Sequence, residues 1–301
     1  MWNESLKKEM QEAIRGTIVF DAPMSRHTSL QVGGPADVLA FPHDERDLAT
    51  LITMARERDI SYLVIGKGTN LLVRDRGIRG LVVSLSQGFR NTSAKGEKIR
   101  VGAGTLLNEM IDFAMDRGLS GLTPLYGVPG TVGGGLAMNA GAWGSEVKER
   151  VESITAMNGD GCTQRISREN LTFNYRKLHL PEGTIIVEGT FVMERQKRED
   201  IKKEIDFYQR KRRDTQPLQF PSAGSVFKNT PEASAGKIIE ELGLKRKKVG
   251  GAEVSAIHAN FIINSGGATA NHVLELIHLI QSQVFRERGI RLEPEVRIVG
   301  E

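Results

Sequence analysis

Glycine clustering is the feature of the sequence that most restricts its fold. The chain has 301 residues and 33 glycines, which concentrate in a few short segments without a regular period. The densest segment is 125–144, LYGVPGTVGGGLAMNAGAWG, and shorter ones follow apolar runs at 66–68 and 102–104. Clustered glycines mark places where the backbone takes a positive φ or approaches another group closely. The pattern predicts tight loops after strands and excludes a repetitive, low-complexity chain.

The glycine loops match no standard nucleotide-binding motif. GKGTNLL lacks the Walker A spacing, and Leu71 occupies the position of the third glycine in the Rossmann pattern. An ordinary turn is the simplest interpretation of each loop alone. Successive free N–H groups in such loops can nevertheless bind anions. Two of these loops after strands favour a diphosphate held by the main chain, as in FAD, without the Rossmann topology.

Hydrophobic periodicity divides the chain into three segments that mix helices and strands, which makes the expected fold class α+β. The expected helices are 2–15, 44–59, 105–117, 200–213, 235–242 and 270–288. The main expected strands are 61–66, the hairpin 151–166, 183–194 and a closing strand 290–299. The predicted domains are 1–87, 88–196 and 197–301, in agreement with the length prior of two or three domains.

Composition restricts the class of protein. Apolar residues make up 39% and charged residues 26%, as in a globular protein with a sizeable core. The N-terminal residues are charged throughout, so we expect no signal peptide and a cytoplasmic location. Cys162 is the only cysteine, and His272 and His278 are six residues apart, so no metal site is expected.

The net charge of +4 comes partly from two basic runs, RKRR at 210–213 and KRKK at 245–248. Solvated helix ends explain such runs most simply. Binding of an anionic ligand is the alternative. A nucleic-acid-binding module is also an open hypothesis, but it usually has a broader basic stripe with aromatic residues, and only 6% of this chain is aromatic.

Five segments occur in one order: GKGTNLLVRD, GVPGTVGGGLAMNAGAWG, the F-x-Y-R segment Phe173–Arg176, PSAGSVFKN and LEPEVR. Together they resemble the UDP-N-acetylenolpyruvoylglucosamine reductase (MurB) family from about Thr28 to the C-terminus. The short stretch between Asn229 and Asn260 resembles the family's shorter type, which lacks an extra substrate-closing loop. Two departures from the family pattern are Thr230 and the run Arg246–Lys248.

The resemblance implies a two-lobed FAD-binding domain of the vanillyl-alcohol-oxidase type, followed by a C-terminal α+β substrate-binding domain. It implies NADPH-driven reduction of UDP-N-acetylglucosamine enolpyruvate to UDP-N-acetylmuramate in peptidoglycan synthesis. FAD would be bound non-covalently, and NADPH would be a co-substrate. We expect a monomer with neither a nucleic-acid nor a membrane partner. An FAD-linked sugar or lactone oxidase of the same superfamily is the alternative enzyme.

The resemblance also assigns residues to FAD, and these lie in the two largest glycine loops. They are Ile65, Gly66, Lys67, Gly68, Thr69, Asn70, Leu71, Gly127, Pro129, Gly130, Thr131, Gly133, Gly134, Asn139, Ala140 and Gly141.

Three residues are assigned to catalysis by the resemblance. Arg176 would bind the substrate carboxylate, where negative charge develops. Ser225 would donate a proton to the substrate carbon. Glu295 would act either as a protonated hydrogen-bond donor or by orienting Arg176. The structural alternatives are a salt bridge for Arg176, a strand-end hydroxyl for Ser225 and an ion pair with Arg297 or another arginine for Glu295.

Four residues are expected to bind substrate: Tyr175, Arg213, Gln216 and Asn229. If the segment after Ser225 is a strand, Asn229 shares a face with Ser225 and Phe227, and Lys228 lies on the other. Arg213 and Gln216 are expected to reach the diphosphate or the sugar of the substrate.

Overall fold

A computed structural model describes residues 2–231 and 233–301. The chain forms two compact units, which we call unit 1 and unit 2. Unit 1 contains the residues up to Phe20, Asp37–Lys67 and Gly80–Arg210. Unit 2 contains Asp21–Ala36, Gly68–Arg79 and Lys211–Glu301. The division into three sequence domains stays a prediction.

The described residues contain seven α-helices, and six of them lie close to the positions that periodicity predicts. The seven helices are α1 (Glu4–Ala13), α2 (Glu45–Glu57), α3 (Leu107–Met115), α4 (Val132–Ala137), α5 (Arg198–Thr215), α6 (Ala235–Glu241) and α7 (Ala270–Arg288). The short α4 is an addition, because the glycines of this segment were expected to form loops. In the described part of the chain, none of the helices has the length and apolar character needed to span a membrane.

The strands are short and numerous. They are β1 (Thr17–Pro23), β2 (Pro35–Phe41), β3 (Tyr62–Ile65), β4 (Leu71–Val73), β5 (Ile78–Ser84), β6 (Thr92–Lys95), β7 (Lys98–Gly102), β8 (Leu119–Ser120), β9 (Gly141–Ala142), β10 (Ser145–Glu146), β11 (Val151–Met157), β12 (Thr163–Ser167), β13 (Thr172–Asn174), β14 (Lys177–His179), β15 (Ile185–Val192), β16 (Glu194–Arg195), β17 (Ser222–Ser225), β18 (Lys248–Val249), β19 (Ala252–Val254), β20 (Phe261–Asn264) and β21 (Arg297–Val299).

Unit 1 is built on two sheets. One has the order β1-β2-β5-β3, with β3 parallel to β5, and the other is antiparallel with the order β12-β11-β15-β7-β6. The predicted hairpin is β11–β12, closed by a hydrogen bond of 2.9 Å from Asn158 N to Cys162 O. Helix α2 buries its predicted stripe of Leu48, Leu51 and Ile52 against the first sheet.

Unit 2 contains the antiparallel sheet β17-β20-β19-β18 and the parallel pair β4–β21. Helix α7 begins after its N-cap Thr269 and ends at Gly289, whose φ of +68° suits a glycine. The apolar side of α7, including Val273, Ile277 and Ile280, is buried in a core that it shares with β17 and β20. This core supports the segment that carries Ser225.

The closing strand is shorter than predicted. Only Arg297–Val299 pairs as a strand, instead of the expected 290–299. Pro294 has no N–H to offer a ladder, and its neighbours pair outside any regular strand. Glu293 O accepts from Lys228 N at 2.9 Å, and Glu295 N donates to Val226 O at 2.7 Å. The segment 293–295 therefore fastens to the residues that follow Ser225.

Candidate functional site

Three glycine-rich segments meet inside unit 1. Gly66 follows β3, and a Cβ on it would lie 2.2 Å from the Thr131 Oγ1 atom. A Cβ on Gly133 would lie 2.8 Å from the Cβ of Ala103. These separations are too short for any side chain, so the glycines are required where the loops pack against each other. The sequence predicted such close approaches, and this part of the prediction is confirmed.

Several of the glycines assigned to the cofactor donate their N–H groups within the protein. Gly127 N donates to Asn108 Oδ1 at 2.7 Å, and Gly133 N donates to Ala103 O at 2.9 Å. Gly134 N donates to Thr131 Oγ1 at 3.3 Å. These N–H groups serve the fold itself. These bonds connect the glycine loop to its neighbours and to the start of α4, and the assignment of Gly127, Gly133 and Gly134 to the cofactor stays a prediction.

Other N–H groups in the predicted cofactor loops remain open. In unit 1, the N–H groups of Gly66, Lys67, Gly130 and Thr131 donate to no acceptor within residues 2–231 and 233–301. In unit 2, the same holds for Gly68 and Thr69. Donors that the fold leaves open are those an anionic ligand can use.

Asn139 was assigned to the cofactor, but its side chain serves the fold. It is 0% exposed, and its φ is +40°. Its Nδ2 atom donates to Glu146 Oε2 at 3.0 Å and to Asn174 O at 3.1 Å. Its Oδ1 accepts from Lys148 N at 3.2 Å. The side-chain amide therefore has several partners inside the protein, and the assignment of Asn139 to the cofactor stays a prediction.

Arg176 and Tyr175 form the turn between β13 and β14 in unit 1. Asn174 and Lys177 pair on either side of this turn, and Arg176 has a φ of +56°. The Arg176 guanidinium lies over the Tyr175 ring, 4.9 Å from its centroid. Tyr175 is exposed. Both predicted residues are therefore at one hairpin tip, as their adjacency in the sequence requires.

Glu146 lies beside Arg176. Burial raises the pKa of Glu146, but hydrogen bonds from Lys148 and Asn139 and the charges of Lys148 and Arg176 outweigh burial. The pKa of this carboxyl is held below its ordinary value, so it is ionised at neutral pH. The sequence analysis missed Glu146, because only the fold places it next to Arg176.

Ser225 and Glu295 come together in unit 2. Ser225 ends β17 opposite Phe261, and it is half-buried. The next residue, Val226, accepts from Glu295 N at 2.7 Å. Glu295 is also half-buried, whereas Arg297 is exposed. The backbone of Glu295 is thus hydrogen-bonded to the residue that follows Ser225, although 70 positions separate Ser225 and Glu295 in the chain.

Asn70, from the first glycine loop, joins this part of unit 2. Its Nδ2 atom donates to Glu295 O at 3.0 Å, and its carbonyl accepts from Arg297 N at 3.0 Å. Ser29 Oγ donates to Ser222 O at 2.7 Å, which attaches β17 to the same region. One predicted cofactor residue and two predicted catalytic residues are therefore neighbours within unit 2.

Asn260 holds the segment after Ser225 in place, and the sequence analysis did not find it. Its Oδ1 accepts from Phe227 N at 2.9 Å, its Nδ2 donates to Phe227 O at 2.8 Å, and its carbonyl accepts from Val226 N at 2.8 Å. The backbone N–H of Asn260 in turn donates to the Nδ1 atom of His258, whose pKa is lowered by burial. His258 is therefore neutral and structural.

The strand expected through PSAGSVFKN ends at Ser225, so the predicted alternation of faces is wrong. Val226 and Phe227 are both buried. Lys228 Nζ forms an ion pair with Glu293, and Asn229 Oδ1 accepts from Ala235 N at 3.1 Å, beside α6. Asn229 is exposed, but it is not placed on one strand face with Ser225.

The last turn of α5 contains two arginines in different surroundings, Arg213 at the surface and Arg212 in the interior. Arg213 is exposed, whereas Arg212 is 6% exposed and Gln216 is half-buried. Arg212 Nη1 donates to Gln216 Oε1 at 3.4 Å, and burial lowers the pKa of Arg212. Burying a guanidinium costs free energy unless it has polar partners, and Gln216 is one such partner of Arg212. The burial of Arg212 could not be predicted from the basic run alone.

Comparisons with known proteins match both units. A family described as "FAD binding domain" matches residues 36–167, and one described as "UDP-N-acetylenolpyruvoylglucosamine reductase, C-terminal domain" matches residues 216–299. A UDP-N-acetylenolpyruvoylglucosamine reductase of Pelobacter propionicus is 46% identical over 96% of this chain and 97% of its own. The chain belongs to the UDP-N-acetylenolpyruvoylglucosamine reductase family.

Other family members agree. The Geobacter metallireducens reductase is 46% identical over 99% of both chains. The crystal structure of the reductase (MurB) from Thermus caldophilus is 37% identical, with a TM-score of 0.83 over 95% of this chain and all of the other. The α+β fold, with an FAD-binding domain and the family's C-terminal domain, is confirmed. The C-terminal match includes Ser225 and Glu295 but begins after Arg213.

Proposed function

We infer that the protein is a UDP-N-acetylmuramate dehydrogenase, which reduces UDP-N-acetylglucosamine enolpyruvate to UDP-N-acetylmuramate in peptidoglycan synthesis. The observation that carries this inference is the relationship to reductases at 46% identity over nearly the full length of both chains. FAD is the cofactor, and NADPH is the reductant. The net reaction adds one hydride and one proton across the enolpyruvyl double bond.

Bound FAD supplies hydride transfer between NADPH and the enolpyruvyl group. We propose that the open N–H groups of Gly66, Lys67, Gly130 and Thr131 in unit 1 would bind its diphosphate. The open N–H groups of Gly68 and Thr69 in unit 2 are proposed FAD contacts in their own right. Main-chain donors suit this group because they offer directed hydrogen bonds without a cationic side chain. The other residues assigned to FAD, Asn139 among them, remain proposed contacts.

Arg176 is proposed to bind the carboxylate of the enolpyruvyl group. Negative charge grows on this carboxylate during hydride addition, and a guanidinium can hold it with two parallel hydrogen bonds. The position of Arg176 on a hairpin tip beside the exposed ring of Tyr175 supports this role. Tyr175 would contact the same substrate.

Ser225 is proposed to give a proton to the carbon next to the carboxylate. Ser225 is half-buried at the end of β17, where it pairs with Phe261 and is followed by a residue that bonds to Glu295. This fixed backbone supports a hydroxyl donor with a defined direction. Glu295 is one hydrogen-bonded step away, and its backbone is held by Asn70. We propose that Glu295 assists the charge stabilisation as a protonated hydrogen-bond donor.

Asn229, Arg213 and Gln216 remain proposed substrate contacts for the diphosphate and the sugar. We also propose that the protein is cytoplasmic, because its nucleotide-sugar substrate and its reductant NADPH are cytoplasmic metabolites. A monomer remains the proposed oligomeric state. Size-exclusion chromatography coupled to light scattering tests this oligomeric state: a mass near twice that of the chain would contradict it.

The Ser225→Ala variant tests the catalytic assignment. It should retain FAD and be reduced by NADPH at the wild-type rate, because the change removes only one oxygen atom from a strand end. Reoxidation of the reduced flavin by the enolpyruvyl substrate should slow by about 10²-fold or more, as expected for loss of a positioned proton donor. Stopped-flow absorbance at the flavin band measures both steps. Reoxidation at the wild-type rate would contradict the assignment.

A further inference from the structure

The backbone of Arg176 adopts a left-handed conformation that is uncommon for arginine. Arg176 is the second of two residues linking β13 to β14, and its φ of +56° lies in the left-handed region. For a residue other than glycine, asparagine or aspartate this conformation is uncommon, and it persists only where the surroundings enforce it. The hairpin must therefore be held by groups outside the turn.

Gly141 leaves the space into which Arg176 extends. A Cβ on Gly141 would lie 2.9 Å from Arg176 Nη1 and 3.0 Å from Glu146 Cγ. The guanidinium and the Glu146 side chain thus lie over the same backbone position at the start of β9. Both residues belong to unit 1, and the positive charge of Arg176 favours the ionised form of the Glu146 carboxyl, lowering its pKa.

Glu146 is itself held firmly. It accepts from Asn139 Nδ2 at 3.0 Å and forms an ion pair with Lys148 Nζ. The same Asn139 amide donates to Asn174 O at 3.1 Å, at the end of β13 and two residues before Arg176. One fully buried amide therefore connects the Glu146 carboxylate to the hairpin that carries Arg176.

We infer that Glu146, held by Asn139 and Lys148, is a positioning residue that sets the direction of the Arg176 guanidinium. This inference rests on the proposed function, in which Arg176 binds the substrate carboxylate. A carboxylate beside the guanidinium limits the orientations of a long, flexible side chain before substrate arrives. The Glu146 carboxylate also competes with the substrate carboxylate for the charge of Arg176. It therefore lowers the affinity for substrate while it fixes the orientation of the guanidinium.

Replacement of Glu146 by glutamine separates these two effects. The variant keeps the size of the side chain and an oxygen that can accept from Asn139, but it loses the charge that faces Arg176. Affinity for the enolpyruvyl substrate should stay equal or increase, because the competing charge is gone. The rate of reoxidation at saturating substrate should fall about tenfold or more, since small misplacements of a catalytic group cost up to about 10²-fold.

The matched control is Glu149→Gln, which makes the same chemical change three residues later. Glu149 is exposed and accepts from Ser145 Oγ at 3.1 Å, so this variant should behave as wild type. Flavin content and the rate of reduction by NADPH should be unchanged in both variants. If Glu146→Gln fails to retain flavin, Glu146→Asp replaces it. That variant keeps the charge, and it should show a smaller loss in reoxidation rate.

A double-mutant cycle with Arg176→Ala decides whether Glu146 acts through Arg176. In the Arg176→Ala background, Glu146→Gln should change the reoxidation rate by less than about twofold. The inference is overturned if the active wild type and Glu146→Gln are reoxidised equally fast, or if Glu146→Gln slows both backgrounds by the same factor. If the wild-type flavin is not reoxidised by the enolpyruvyl substrate at all, the proposed function itself fails.

Discussion

Asn260→Ala is the substitution for which the structure predicts the largest consequence in unit 2. Asn260 is 4% exposed, and its amide pairs with both the N–H and the C=O of Phe227, a residue that is 1% exposed. Alanine leaves these two backbone groups buried without partners. An unsatisfied buried group costs about 1–3 kcal/mol, so losing the partners of both groups should lower the free energy of unfolding by about 2–6 kcal/mol. This is a large part of the about 5–15 kcal/mol that a typical protein has.

Urea denaturation followed by circular dichroism measures this loss. The control is Asn271→Ala, because Asn271 is exposed on α7 and alanine favours a helix. A second measurement at low temperature, where the variant is still folded, is the rate of flavin reoxidation. It should fall as well, since Phe227 is two residues after Ser225. Ordinary surface substitutions change the free energy of unfolding by less than about 0.5 kcal/mol. A change that small in Asn260→Ala would refute the proposal that the Asn260 amide stabilises the Phe227 backbone.

Two further predictions concern unit 1. Gly141→Ala should slow flavin reoxidation by about 10²-fold, because its Cβ would lie 2.9 Å from both Ser145 O and Arg176 Nη1 and 3.0 Å from Glu146 Cγ, and so would displace the strand turn and both side chains. Stopped-flow measurement checks this beside Gly159→Ala, where the added Cβ meets nothing within 4 Å, and equal rates would contradict it. Asp112→Asn should stabilise the protein at pH 7, because burial raises the pKa of Asp112 above its ordinary value of 3.8 and so disfavours the ionised form in the folded state. The gain should disappear as the pH falls below 3.8, where the carboxyl is protonated in both states, and a gain that persists in acid would point to another cause.

The sequence predicts regular elements better than it predicts the site. Helix α7 has the predicted bounds, 270–288, because one apolar face repeats over five turns and a glycine follows its last residue. The strand through PSAGSVFKN was wrong beyond Ser225. Its alternation depends on a neighbouring strand, and there the neighbours are a side-chain amide and an irregular segment, which local periodicity does not encode.

Asn139, Glu146 and Asn260 show the same limit. Each acts through a hydrogen bond to a backbone or side chain that the fold brings close, and no short motif marks them. Gly133 was recognised as unusual from the sequence, but its close packing against Ala103 became visible only in the structure. Arg176, Ser225 and Glu295 were found only through resemblance to a family, because each residue type has a common structural role.

The most direct test of the central claim is a single turnover without oxygen. Purified protein with bound flavin is reduced by one equivalent of NADPH and then mixed with UDP-N-acetylglucosamine enolpyruvate, and the flavin absorbance and products are followed. We expect the flavin to be reoxidised by the substrate, with one UDP-N-acetylmuramate formed per NADPH consumed. The proposed function would be contradicted if the substrate did not reoxidise the flavin and reoxidation occurred only after oxygen was admitted. That result would indicate an oxidase.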